Sequence, residues 1–187
     1  FESKYAENPS DANLYGLALA YKKNNNFNKG LASLDKLLEK YPKNLVLNTT
    51  KVEFLSYFNK FNDALDLANK FLEISPKNYP LSISKSQILL NMGQYFESEE
   101  IIRDQLLRKN DSPELWFMLS ETQKTSQNIV GYHQSRAEYF LLLGQDEKAL
   151  NQLEFALQLT QNNFQVSDRI MTKIIEIKKS LQNSRGL

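Results

Sequence analysis

His133, Arg136 and Glu138 stand within one short stretch of the chain, and an imidazole near a guanidinium and a carboxylate is the material of general acid–base chemistry. On a helix, however, Arg136 falls one turn from His133 while Glu138 belongs to a different face, so the three do not converge. His133 therefore reads as a helix residue facing a neighbour or the solvent, and Arg136 and Glu138 as groups that bond to adjacent helices. Other routes to catalysis fail on inventory. His133 is the only histidine and cysteine is absent, so neither an HExxH zinc site nor a thiolate site can be assembled. There is no GxxxxGK[ST], GxSxG or GxGxxG segment. Adjacent carboxylates such as Glu99–Glu100 and Asp146–Glu147 fall at helix starts or faces, where solvation and the helix dipole account for them. Asn48-Thr49-Thr50 and Asn110-Asp111-Ser112 match the glycosylation sequon, as chance allows in a chain rich in asparagine. The expectation is a chain with no catalytic residue, no metal ligand and no cofactor of its own.

Charge narrows the partners. Lysine and arginine number 23 against 22 acidic residues, which removes the electrostatic argument for nucleic acid or a membrane surface as partner. No apolar run approaches the roughly 18 residues of a membrane-spanning helix. The lack of cysteine leaves the redox compartment open.

What must position any functional group is a repeat. The segment "LYGLALAYKKNNNFNKGLASLDKLLEKYPKN" aligns with "NTTKVEFLSYFNKFNDALDLANKFLEISPKN" at an offset of 34 residues, and "SISKSQILLNMGQYFESEEIIRDQLLRKN" gives a third copy. Leu14, Leu17, Ala18 and Tyr21 recur at helical spacing on one stripe. Gly30, Ala64, Ser98 and Ala149 supply small residues where paired helix backbones must approach. Phe27, Phe61 and Tyr95 open the second helices. Pro9, Pro42, Pro76 and Pro113 end one helix and admit the next, since proline is tolerated in a first turn but not in an interior. Strand patterning is nearly absent. This 34-residue helix–turn–helix unit resembles the tetratricopeptide repeat, and the expected fold is all-α: a right-handed α-solenoid of such pairs, with an irregular half repeat and a C-terminal capping helix.

Residues 1–10 read as the tail of a preceding helix, 11–112 as three repeats, 113–129 as a truncated repeat, 130–163 as a further repeat and 164–187 as a capping helix with a frayed end. One continuous domain is expected, excised from a longer protein, because the chain opens at Phe1 without an initiator methionine. The register is expected to break after Trp116 and Leu119. Gly144 repeats the Gly93 turn 51 residues on, one and a half repeats, so a single helix is inserted or shared. Predicted helices cover 113–125, about 130–143, 145–160 and 164–183. The last carries Val166, Ile170, Ile174, Ile177 and Leu181 on one face and presents a polar outer face, as a terminal solenoid helix should.

Several residues are assigned structural roles: Gly30, Ala64 and Ala149 at helix crossings, Gly93 and Gly144 at turns, Arg136 at the register change and Trp116 in inter-repeat packing, with a ligand contact as the alternative for the tryptophan. In tetratricopeptide proteins the first helices line the concave face. The resemblance therefore nominates Tyr15, Lys22, Thr50, Glu53, Tyr57, Gln87, Asn91, Phe117 and Glu121 as partner-binding residues, solvated surface being the alternative for each. Their mixture of aromatic, amide and charged groups suits extended or partly folded polypeptide. It departs from the carboxylate-clamp subclass that grips acidic chaperone tails, because Leu19, Thr49 and Glu53 occupy positions where Lys, Arg and Asn are needed.

A more specific likeness runs through nearly all of residues 1–183. The order of the first repeat, "LNMGQYFESEEIIRDQL", "LWFMLSETQ", "HQSRAEYFLLLGQDEKALNQLEFALQL" and "RIMTKIIEI" resembles the C-terminal repeat region of BepA-like periplasmic zinc metalloproteases, the β-barrel assembly-enhancing protease family. In that family an upstream zincin domain with HExxH holds zinc and cleaves. The repeats engage the outer-membrane β-barrel assembly machinery, its clients and the protease domain itself. The resemblance implies a periplasmic, chaperone-like protein-binding role in proteolysis and outer-membrane protein assembly, with zinc expected only in the parent's protease domain. A free-standing scaffold or co-chaperone is the alternative.

Overall fold

The computed structural model describes residues 2–160 and 163–185. The described residues form helices and no strand: α1 (Glu2–Glu7), α2 (Asp11–Lys23), α3 (Phe27–Lys40), α4 (Leu45–Tyr57), α5 (Phe61–Ile74), α6 (Tyr79–Asn91), α7 (Tyr95–Arg108), α8 (Pro113–Thr125), α9 (Ile129–Leu142), α10 (Asp146–Leu159) and α11 (Phe164–Arg185). The chain is an all-α fold of tetratricopeptide-type helix pairs. By internal packing it divides into two compact units, Phe1–Gly93 and Gln94–Leu187, where the repeat arithmetic expects one continuous domain. The boundary falls at the turn inside the third repeat, where Gly93 takes a φ of 78°.

The asparagines that make the composition unusual have a structural task. Ser10, Asn44, Asn78 and Ser112 are spaced 34 apart, and each accepts a hydrogen bond from the amide of the third residue of the following helix, at 3.2, 3.1, 3.0 and 3.4 Å. Each satisfies a helix-start amide that would otherwise lack a partner. A second series ends the first helices. Asn25, Asn59, Gly93 and Gln127, again 34 apart, all adopt left-handed backbone. After three of these turns the next amide reaches back to the final turn of the helix: Asn26 to Tyr21, Lys60 to Leu55 and Asn128 to Gln123, at 2.8–2.9 Å. That is the Schellman closure of a helix C-terminus.

Both series run unbroken through the fourth copy, so the expected truncation at 113–129 is corrected: α8 has a partner in α9. The register changes one helix later. Gly144, at φ 67°, gives α9 the left-handed ending otherwise found on first helices, and the Gln145 amide bonds to Phe140 in the same Schellman pattern at 2.9 Å. Helix α9 packs along both α8 and α10, and is thus second helix to one and first helix to the other. A shared helix is what the 51-residue interval from Gly93 to Gly144 leads one to expect; the turn between α8 and α9 escapes sequence patterning because Gln127 fills the place that Asn and Gly fill elsewhere.

Within the first unit, Val52, Leu55, Ala64, Ala68, Phe71, Leu81 and Ile88 form one buried cluster, and Ala18, Leu34 and Phe54 another. Gly30 is fully required at its crossing: a Cβ there would stand 2.5 Å from Phe54 Cζ. The Phe54 ring cannot retreat, being wholly buried and packed against Phe27 and Phe58 at centroid distances of 5.8 and 4.9 Å. In the second unit, Ala137, Ala149, Leu153, Ala156, Ile170, Ile174 and Ile177 make the core. The inward face of α11 thus matches its predicted stripe. Its outward face does not, because Phe164, Met171 and Ile175 are exposed there at 82, 48 and 60 %. The helix is apolar on two sides, which a count of one heptad stripe does not reveal. Residues 183–185, expected to fray, are helical, and 186–187 lie outside the described residues.

Two substitutions test this account. Gly30→Ala should lower unfolding free energy by about 1–3 kcal/mol, the usual penalty for overpacking a tight core, as read by urea denaturation. Gln127→Gly should stabilise by about 0.5–1 kcal/mol, because glycine removes the left-handed penalty that a β-carbon carries; a lower midpoint would contradict it.

Candidate functional site

On the first unit, the nominated residues come from α2, α4 and α6, and the structure separates them into used and available groups. The Thr50 hydroxyl donates to the Val46 carbonyl at 2.9 Å and accepts from the Tyr15 phenol at 3.0 Å. Thr50 is only 8 % exposed, so it belongs to the packing between α2 and α4 and is withdrawn from the candidate surface. Tyr15 is half-buried beside it. Lys22 lies over the Tyr57 ring at 5.3 Å. Tyr57 is 51 % exposed and meets Phe58 edge-on at 5.1 Å. Phe58 in turn belongs to the Phe27–Phe54 stack. Tyr57 is thus an exposed ring on a rigid aromatic base, with exposed Glu53 one turn away on α4. On α6, Gln87 donates to Asn91 at 3.2 Å, and both remain exposed.

A hollow of about 400 Å³ opens where α2 and α4 begin, lined by Asp11, Ala12, Tyr15, Leu37, Tyr41, Asn44, Val46 and Leu47. Its rim is fixed by charge. Asp11 accepts hydrogen bonds from Lys40 Nζ at 2.7 Å and from the Tyr41 hydroxyl at 2.8 Å. The Lys40 bond, then the Tyr41 bond, hold the Asp11 carboxyl below the usual carboxylate range, and the same contact holds the Lys40 ammonium above its own.

On the second unit, two nominated residues and one structural residue come together. Arg136 of α9 lies over the rings of Phe117, Tyr139 and Phe140 at 4.7, 5.0 and 5.3 Å. Its Nη1 stands 3.8 Å from Glu121 Oε1 on α8, close enough for charge attraction and too far for a hydrogen bond. Among the described residues, that Nη1 is the buried side-chain polar atom without a hydrogen-bond partner. Phe117 is 38 % exposed. The sequence reading missed Tyr139 and Phe140, and with them Lys124 over Tyr132 at 5.9 Å and Lys148 over Phe140 at 5.6 Å. The signal was available: Tyr132, Arg136 and Phe140 recur every four residues on one face of α9.

The remaining members of the opening trio disperse. His133 Nδ1 is 2.8 Å from Gln152 Oε1 on α10, with Phe155 5.4 Å away ring to ring. Glu138 pairs with Lys173 of α11. Trp116 donates its indole N–H to the Asn110 carbonyl at 2.8 Å, closing the loop before α8. Among the described residues no group of three or more His, Cys, Asp or Glu could hold a metal ion.

No protein-family model matches the chain, and no curated protein matches it. Solved structures do, and they are repeat proteins of the tetratricopeptide type. MamA 41-end from Desulfovibrio magneticus RS-1 superposes with a TM-score of 0.62 at 13 % identity, over 91 % of this chain and 97 % of that one. A tetratricopeptide repeat protein from Parabacteroides merdae gives 0.59 at 15 %, over 93 % and 75 %. TTC0263, a thermophilic TPR protein from Thermus thermophilus, gives 0.53 at 20 %, over 93 % and 87 %. At such identities the likeness is one of fold.

The Asp11 contact yields a pH prediction. A carboxyl held below its unfolded value contributes stability that is present above the unfolded pKa, near 4, and lost as pH falls through the lowered one. Asp11→Asn should therefore reduce thermal stability at neutral pH and flatten its decline in acid, followed by helical circular dichroism. An unchanged acid limb would contradict the assignment.

Proposed function

We propose that this chain is the protein-binding repeat region of a larger periplasmic zinc metalloprotease, and that it holds outer-membrane assembly components or their misfolded clients for the protease domain. The observation that carries the binding role is Tyr57: an exposed ring on the Phe58–Phe54–Phe27 stack, with Lys22 over its face. A half-exposed aromatic that cannot collapse into the surface offers contact area at little entropic cost, as interface anchors do. Glu53, one turn away on α4, and the exposed amides of Gln87 and Asn91 on α6 supply polar groups able to satisfy an extended backbone. The attachment to a protease and the periplasmic setting rest on the resemblance carried by "HQSRAEYFLLLG" and "RIMTKI". Zinc and HExxH chemistry would belong to the parent's protease domain, and this chain's part is to bind and position.

A second reading, a free-standing scaffold or co-chaperone, is favoured by the fold likeness to solved tetratricopeptide repeat proteins such as TTC0263. The sequence encoded upstream of Phe1 separates the two, since an HExxH helix there supports the protease. Immobilised protein incubated with outer-membrane extract should retain assembly-machinery subunits or unfolded barrel proteins. The Lys22→Ala/Tyr57→Ala variant should retain several-fold less. Equal retention by the variant, or none by the parent, would sink the proposal.

A further inference from the structure

The α8–α9 face of the second unit carries a feature that general packing does not explain. Arg136 is only 22 % exposed in its side chain, its Nη1 is buried without a hydrogen-bond partner, and leaving a buried charged donor unbonded is costly. Three aromatic rings bracket the guanidinium and hold it in place. The carboxylate that approaches it, Glu121, stops at 3.8 Å. A donor fixed in position and left short of its acceptor is a site organised for an acceptor that comes from elsewhere.

The surroundings say which acceptor. Tyr132, Arg136 and Phe140 mark one stripe of α9, and each end of the stripe carries a further cation: Lys124 over Tyr132 and Lys148 over Phe140. Successive positions on such a stripe are about 6 Å apart, four residues at 1.5 Å each. Side chains on one side of an extended polypeptide are about 6.6 Å apart, two residues at 3.3 Å each. The two periods match. Lys148 shares the first turn of α10 with Asp146 and Glu147, whereas Glu121 is set against both Lys124 and Arg136, so positive charge prevails more at the Lys124–Arg136 end.

We infer that this stripe binds acidic side chains at alternating positions of an extended polypeptide, with Arg136 receiving one carboxylate in place of Glu121 and Lys124 and Lys148 receiving its neighbours. Three cations in a row argue for carboxylates distributed along a segment rather than a single chain terminus. The exposed Phe117 ring beside Arg136 accommodates an apolar residue between them. The inference rests on the protein-binding role proposed above and specifies the chemistry of one partner segment.

The probe is a fluorescein-labelled, C-terminally amidated peptide with glutamate at three alternating positions, compared by fluorescence anisotropy with its glutamine counterpart and with a glutamine peptide bearing a free C-terminal carboxylate. The glutamate peptide should bind at least tenfold more tightly than either. Arg136→Gln should abolish that preference, and Glu121→Gln, which removes the resident competitor, should tighten binding several-fold; a residue that only held the fold would give no such opposite pair. Should Arg136→Gln unfold by circular dichroism, Lys124→Gln/Lys148→Gln, both at exposed positions, carries the test with an expected loss of about fivefold. Equal affinity for glutamate and glutamine peptides, tightest binding of the free-carboxylate peptide, or no effect of the folded variants would overturn the inference. Because the peptides are defined, failure to capture assembly components from extract leaves this result readable. Capture that persists while the peptides fail removes only this site.

Discussion

Everything in this fold depends on one backbone step repeated at fixed intervals. After each first helix a single residue turns left-handed, at Asn25, Asn59, Gly93 and Gln127, and within each unit, after Asn25, Asn59 and Gln127, the helix that follows is thrown back against its predecessor. In three of these places the step is made by a residue with a β-carbon, which gives up local conformational energy for it. The closing amide bonds and the packing of the following helix offset that cost. Side-chain caps at Ser10, Asn44, Asn78 and Ser112 set the other end of each unit. Turn and cap together define a 34-residue ruler, and the positions of Tyr57, Phe117 and Arg136 are readings on it.

The same ruler explains what changes after α9. Gly144 gives a second helix the ending of a first helix, so α10 can pack on α9 as if α9 had opened a pair. The substitution of one kind of link for another shifts the pattern by half a unit without breaking the stack of helices within this unit. Arg136 sits on the helix that has both roles. Its ring-lined setting draws Phe117 from α8 and Tyr139 and Phe140 from α9, and Lys148 reaches Phe140 from α10. Rings from α8 and from α9 itself hold the guanidinium, and its Nη1 stands there without a hydrogen-bond partner.

Much of this was legible beforehand. Periodicity located all three aligned repeats and the small residues at their crossings, because those features act through local spacing and steric bulk. Helix bounds after residue 112 came within a residue or two for the same reason. Two things resisted. The fourth left-handed turn was hidden because Gln127 carries no compositional signal of its conformation, and the site on α9 was hidden because it needs α8 and α10 brought alongside. Thr50 shows the converse: its position on a first helix marked it as available, yet the hydroxyl of Tyr15, 35 residues earlier, had already claimed it. Side-chain partnership across helices is a tertiary fact, and single-helix geometry does not report it.

The outward stripe of α11 has a consequence for the bulk behaviour of the protein. With a formal charge of only +1 and an isoelectric point near 8.0, copies repel one another weakly around neutral pH. Phe164, Met171 and Ile175 offer a surface where contact between copies displaces water from hydrocarbon and little else. Attraction through such a stripe answers to hydrocarbon area more than to charge, so added salt, which screens charge that is scarcely there, does little to weaken it.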